Sequence, residues 1–342
     1  MKRNIKYCPS TLKEGYEDFS PAALKKLFGG KKVSCFLRIN SPEEDNIIAE
    51  RFRENRVRLS ISGAQIKQSL LLDKKELKLT EPNEHGEFIL KPVPYHENFE
   101  NTDELPANEH LTMQVANQVY DINTAANGLV FFENGEPAYL TRRFDIGSEG
   151  NKISQEDFSV LMGYSYRING NAFRYEGSYE DVASAMKTYV PAYAVESERF
   201  FARVVFNYLF SNGDAHLKNF SIQRLNSGDH ILSPAYDLVN TRLHIKNDSS
   251  MALKDGLFSN DYYTDSFQKL GFYAYDDFYE FGVKIGLVEK RVIKALTLFR
   301  TLNPIVIELI DHSYLSEESK VVYKEMYLDR LKALNNSYKG AV

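Results

Sequence analysis

Three residues of this 342-residue chain stand in an order that suits one chemistry: Asp214, then Asn219 five positions later, then Asp237 after a further 18. Moving a phosphoryl group from a nucleotide to a hydroxyl needs a carboxylate to receive the hydroxyl proton. It also needs oxygen ligands that hold Mg²⁺ against the phosphates. An Asp, an Asn and a second Asp beyond a short hairpin supply those groups. A single Asp–x4–Asn is what many ordinary loops contain, so the flanks carry the weight. A strongly helical run precedes Asp214, and β-type residues, Phe220-Ser221-Ile222, follow Asn219. The set reads as helix, catalytic loop, hairpin and metal-binding Asp. Within the loop, His216 is expected to pack rather than to act as a base, and Lys218 to neutralise phosphate charge.

The elements that must position these groups follow from periodicity. Glu196–Phe210 repeats Phe200, Phe201, Val204, Val205, Tyr208 and Leu209 at three-to-four spacing, a wide buried face and a rigid mount for Asp214. VRLSISG, SLLLD, ELKLT and GEFILK are short β-rich runs parted by turn residues, an antiparallel meander ending at Lys91. Pro106 opens a helix with Leu111, Val115 and Val119 on one stripe and Glu109 in its first turn. Asn127–Phe132 and Glu136–Thr141 form a hairpin. Ser154-Gln155-Glu156-Asp157-Phe158 is expected to open a helix, with Ser154 as cap and Asp157 at capping-box spacing. Gly163–Gly177, rich in Tyr, Asn and Gly, reads as a loop near the site or as a substrate surface. Helices are expected at Asp277–Ile285, Glu289–Leu302, Pro304–Tyr314 and Glu317–Leu334. Before the meander, Ser20 caps a short helix starting at Pro21 and ended by Gly29-Gly30, and Ser41 onward opens another through Phe52. Both are expected to be connections over the surface.

Bulk properties bound the class. With 43% hydrophobic and 26% charged residues the chain can bury a sizeable core. Its 42 basic and 47 acidic residues leave a formal charge of −5, against a dedicated nucleic-acid binder. Two cysteines, Cys8 and Cys35, are too few for a disulfide framework and fit a reducing cytoplasm. No signal peptide or membrane-spanning run is visible.

The segments NGDAHLKNFSI and SPAYDLV resemble the catalytic and metal-binding segments of HipA-family toxin kinases, and further matches run in register from about Ser60 to about Asn240. The resemblance implies an α+β, bilobal protein-kinase-like fold. It divides the chain into an extension (1–56), a small β-rich lobe (57–141), a hinge (142–145) and a large helical lobe (146–342). It makes Asp214 the base and Asn219 and Asp237 the Mg²⁺ ligands. Ser60-Ile61-Ser62-Gly63-Ala64-Gln65-Ile66-Lys67 is similar to the family's S-x-x-G-A-Q-x-K phosphate loop. Ser62, Gly63, Ala64, Gln65 and Lys67 would cradle ATP, and Ser60 and Ser62 would be autophosphorylated. Lys91 matches the ATP-binding lysine and Glu109 its ion-pair partner. Arg142, Phe144 and Asp145 match the hinge motif E-R-F-D, with Arg142 in place of the usual acidic residue. The implied activity is phosphorylation of serine or threonine, on an aminoacyl-tRNA synthetase. The implied partners are a HipB-like DNA-binding antitoxin and a HipS-like small protein, because the 59 residues before Ser60 suit the short HipT form. No direct contact with nucleic acid or membrane is expected. A small-molecule kinase and a non-catalytic module with the same fold remain open on the residues alone.

Overall fold

The computed structural model describes residues 4–41, 67–81, 84, 86–94, 99–147, 150–170 and 172–340. The second expected N-terminal helix, the VRLSISG run and the phosphate loop through Gln65 lie outside them.

Helix α1 (Pro21–Phe28) forms as its caps predict. The Ser20 hydroxyl accepts the Ala23 N–H at 3.2 Å, and Gly29 ends the helix at φ +62°. Strands β1 (Gln68–Asp73), β2 (Glu76–Leu79) and β3 (Phe88–Pro92) follow, then α2 (Leu105–Gln118), β4 (Asn127–Phe131) and β5 (Pro137–Arg142). They build one antiparallel sheet in the order β2-β1-β3-β5-β4. The pleat puts alternate residues on opposite faces. On β3, Phe88 and Leu90 enter the core, while Ile89 and Lys91 share the other face beside Thr141 and Tyr139 of β5.

The expectation that the helix at Pro21 is a connection over the surface is overturned: its Ala23, Leu27 and Phe28 are buried, and residues around it are too. Cys8, Leu12, Leu27, Phe28 and Cys35 are buried. Phe36 bridges to Phe131, the Leu37 amide donates to the Phe131 carbonyl at 2.8 Å, and Leu129 donates to Pro9 at 2.7 Å. This segment covers the outer edge of β4, whose backbone groups would otherwise face water or another chain.

Helix α2 is not the one-striped helix the pattern suggested. Twelve of its 14 residues are buried, polar ones included. It is enclosed by the sheet on one side, by the N-terminal segment through His110, whose ring bonds the Ser10 carbonyl at 2.9 Å, and by later chain through Asn108. Burial depresses the His110 imidazole to about 4, only partly offset by that bond. A group whose folded pKa is depressed gives stability that is present above about pH 6.5 and lost as pH falls through about 4, here on the order of 3 kcal/mol at most. His110→Gln is therefore expected to lose less stability than wild type between pH 7 and pH 4.5 in urea unfolding; parallel losses would refute it.

Beyond β5 come β6 (Gln155–Asp157), α3 (Phe158–Leu161), α4 (Tyr166–Asn169), a 3₁₀ turn at Phe173–Tyr175, α5 (Tyr179–Tyr189) and α6 (Tyr193–Leu209). The Ser154 cap is corrected. Residues 155–157 pair with β7 (Ser221–Arg224), and Asp157 caps α3 by accepting the Val160 N–H at 3.2 Å. A strand partner for β7 outweighed the local capping signal. The α4 and 3₁₀ segments break the loop expected over Gly163–Gly177. β8 (His230–Leu232) closes the hairpin with β7. The chain ends in α7 (Asp265–Leu270), α8 (Tyr275–Lys284), α9 (Glu289–Arg300), α10 (Pro304–His312) and α11 (Glu317–Asn335). Helices α5, α9 and α11 pack around α6, and α8 meets it through Phe278 against Tyr208. One continuous core joins the sheet and the helices.

Candidate active site

The deepest polar feature sits where β3 meets the segment after β8. Lys91 is 2% exposed, and its Nζ donates to Glu109 Oε1 at 2.6 Å and to Asp237 Oδ1 at 2.5 Å. Lys67 Nζ stands 3.4 Å from Asp237 Oδ2. Burial pulls the Lys91 ammonium down, but the two carboxylates outweigh it and hold the group protonated, above the ordinary lysine value. Burial pushes the Glu109 carboxyl up, to about 7, with Asp237 adding to the rise and Lys91 opposing it. Asp237 adopts φ +55°, a left-handed conformation that Asp and Asn tolerate better than most residues. Reciprocal bonds fix this segment to α2: Asn108 Nδ2 donates to the Asn240 carbonyl at 2.8 Å, and the Asn240 amide donates to Asn108 Oδ1 at 3.1 Å. The pair between β3 and α2 and the post-hairpin segment are thus one unit.

The loop after α6 brings the remaining groups. Ser211 turns the chain at φ +52°, and the Leu217–Asn219 3₁₀ turn follows. Asn219 Nδ2 donates to the Asp214 carbonyl at 2.7 Å. Tyr175 donates its hydroxyl to Asp214 Oδ1 at 2.7 Å. His216 is buried and packs edge-on against Tyr175, with ring centroids 5.2 Å apart. Burial, with the charge of Arg174, drives its pKa down to about 3, so it is a neutral packing ring, in line with the expectation for it. Lys218 is paired with Asp157 at 2.8 Å.

A cleft of about 350 Å³ joins these groups. Its apolar wall is Ile89, Phe144 and Tyr236, the last two rings 5.5 Å apart. Among the described residues, Lys67, Lys91, Arg142, Arg143, Arg174 and Lys218 line it with Asp145 and Asp237, while Glu109 and Asp157 pair with Lys91 and Lys218 from behind the lining, in a chain of formal charge −5. Asp214 is not among the lining residues; it joins them through Asn219 and His216, whose Nε2 lies 3.9 Å from Asp214 Oδ1. At the hinge, Asp145 is held by Arg143 at 2.9 and 2.7 Å. The amides of Arg142 and Arg143 donate to Ala126 and Glu87, and the Phe144 carbonyl accepts from Gln223. Much of the hinge backbone is therefore engaged within the protein. Ser60, Ser62, Gly63, Ala64 and Gln65 lie outside the described residues. Sequence reasoning missed Arg174, Tyr175 and Gln223, which reach the site from elements whose own pattern carries no chemical signal, and passed over Tyr236 although it stands beside Asp237 in SPAYDLV.

Residues 59–300 match the family model for the HipA-like C-terminal domain. The chain belongs to that family. The match takes in Lys91, Glu109, the Asp214 loop and Asp237. A Haemophilus influenzae relative, named as a candidate kinase, is 30% identical over 249 residues, 70% of this chain and 70% of its own. The serine/threonine-protein kinase toxin HipA of Shewanella oneidensis is 26% identical over 84% of this chain and 66% of its own. In structure, the chain is similar to HipA in the complex of Shewanella oneidensis HipA, HipB and operator DNA. The TM-score is 0.64 at 22% identity, over 87% of this chain and 71% of that one. The fold is thus the α+β, bilobal, kinase-like fold of HipA. Another candidate kinase, from Sinorhizobium fredii, is 31% identical, and this chain spans 59% of its length. Among the described residues no helix is long and apolar enough to cross a membrane.

Proposed function

We propose that this HipA-like protein is an ATP-dependent serine/threonine protein kinase and the toxin of a toxin–antitoxin system. The observation that carries the reading is the cleft: an excess of cationic side chains converges on one carboxylate-bearing site in an acidic protein, the electrostatics a polyphosphate needs. Ile89, Phe144 and Tyr236 offer the purine an apolar slot. Lys91 and Lys67 meet the phosphates, and Glu109 keeps Lys91 in place.

The donors fit Mg²⁺. Asp237 brings a carboxylate and Asn219 an amide carbonyl, both hard oxygen ligands, and no cluster of three or more His, Cys, Asp or Glu side chains among the described residues forms a closed metal cage. Mg²⁺ favours such sparse sites, completed by phosphates and water. When bound, the ion would neutralise charge building on the phosphates. In the transfer itself, Asp214 takes the proton of the acceptor hydroxyl and the acceptor oxygen bonds to the γ-phosphorus. The bond from that phosphorus to the β–γ bridging oxygen breaks, and ADP leaves with the electron pair. Asp214 then returns the proton to solvent. Most of the catalysis is positioning and charge neutralisation.

Membership of the HipA-like family supports an aminoacyl-tRNA synthetase as substrate, a HipB-like antitoxin with a HipS-like small protein as partners, and control by autophosphorylation at Ser60 and Ser62. A phosphoserine there would bring about −1.5 to −2 charge to where ATP phosphates bind. The expected result is phosphate transfer from Mg²⁺-ATP to one member of a panel of purified synthetases, and to Ser60, Ser62 or both, by the wild-type chain and not by Asp214→Ala. An active preparation that labels no synthetase would refute the substrate assignment.

A further inference from the structure

Tyr175 touches Asp214 from outside the catalytic loop. Its hydroxyl donates to Asp214 Oδ1 at 2.7 Å, the bond a donor makes to a carboxylate it is meant to hold. We propose that Tyr175 is a positioning residue for phosphoryl transfer: it holds Oδ1 so that the Asp214 carboxylate keeps one orientation, with Oδ2 the oxygen that receives the acceptor proton. The proposal rests on the kinase reading above.

Three contacts make Tyr175 a fixed strut rather than a swinging side chain. Its carbonyl accepts the Lys254 amide at 2.8 Å, and its amide donates to Ala172 at 2.8 Å. Its ring meets the edge of His216, which is buried, neutral and within 3.9 Å of the same Asp214 oxygen. From the other side, Tyr179 donates to the Ala215 carbonyl at 2.9 Å, fixing the loop backbone next to Asp214. Asn219 holds the Asp214 carbonyl. The backbone of the base is therefore secured by Asn219 and Tyr179, and Tyr175 secures its carboxylate. A carboxylate rotating about its last bond would lose the near-attack geometry that transfer requires. The same turn places Arg174 in the cleft lining, so one short segment ties the base to the wall of the nucleotide site.

The test is a double-mutant cycle on the full chain, reading initial rates of ADP release and of ³²P incorporation into the chain from Mg²⁺-[γ-³²P]ATP. Tyr175→Phe keeps the ring and its contact with His216 and removes only the donor. It is expected to lower kcat by about tenfold or more while KM for ATP stays within about twofold. In an Asp214→Asn background, Tyr175→Phe is expected to cause no further loss, since the group it positions is gone. Thermal unfolding of Tyr175→Phe within a few degrees of wild type separates this from misfolding. Wild-type kcat in Tyr175→Phe overturns the proposal, as does an equal loss in both backgrounds. A faster Tyr175→Phe enzyme also overturns it, and would make the tyrosine a gate over the base. If the wild type transfers no phosphate, the kinase reading falls and takes the proposal with it; wild-type transfer by Asp214→Asn leaves the kinase reading standing but removes Asp214 as the base, and with it the proposal.

Discussion

Asp237→Asn is expected to reduce phosphate transfer by about a thousandfold or more. Asparagine is nearly isosteric and tolerates the left-handed backbone at this position, φ +55°, so the loss reports the charge rather than the fold. Two functions go with that charge. The carboxylate is the anionic ligand in the proposed metal pair with Asn219, and it engages both Lys91 and Lys67. Without it the two lysines remain, so ATP is expected to bind still, but with affinity that no longer rises on adding Mg²⁺. Removing one of two carboxylates around Lys91 leaves a balanced buried pair with Glu109, so unfolding stability should stay close to wild type. Radiolabel incorporation and calorimetric titration of ATP with and without Mg²⁺ check both halves. Near wild-type transfer in Asp237→Asn would remove Asp237 from the metal site.

The second large effect is on stability. Lys91→Met fills much the same space but leaves Glu109 and Asp237 side by side with their shared cation gone. Stranding buried charge in this way costs on the order of 3–5 kcal/mol, a large share of the stability of most domains. Two signatures separate this from a simple packing defect. Adding Glu109→Gln should recover much of the loss, because the second substitution removes the stranded charge. The deficit should also shrink as pH falls. The Glu109 carboxyl is already raised by burial to about 7, and a group whose folded pKa is raised favours the folded state at low pH and loses that advantage as pH rises through the folded value. Urea unfolding of the three proteins at pH 5 and pH 8 is the measurement. A Lys91→Met deficit that is the same at both pH values would show that Glu109 and Asp237 are not stranded against each other.

The parts of the site legible in the chain were those whose signal is local. Asp214 and Asn219 lie on one loop five residues apart, and the amide of Asn219 closes onto the Asp214 carbonyl within that loop. The β7–β8 hairpin that carries the chain on to Asp237 is a short-range pairing. Helix α1, with its serine cap and terminal glycine, and helices α8 to α11 follow from caps and periodicity alone. A resemblance to HipA-family segments linked Lys91 with Glu109, and the structure puts those two atoms 2.6 Å apart.

What tertiary structure decided is everything that depends on two distant segments sharing a boundary. Helix α1 and the residues around it carry no local sign of where they are buried. They are core because β4 has an open edge that needs a backbone partner. Ser154 looked like a helix cap, yet its neighbours became strand because β7 had an edge to fill. Tyr175 and Arg174 sit in a stretch of Tyr, Asn and Gly whose pattern says only loop, and they reach Asp214 and the cleft where the Lys254 and Asp255 amides hold that segment at the Tyr175 and Gly177 carbonyls. Caps, turns and helical stripes are energies between near neighbours, and a sequence displays them directly. Edge pairing, charge sharing around Lys91 and the aim of a carboxylate are energies between residues that only folding brings together, so residue types could name the chemistry while the packed chain alone could supply its geometry.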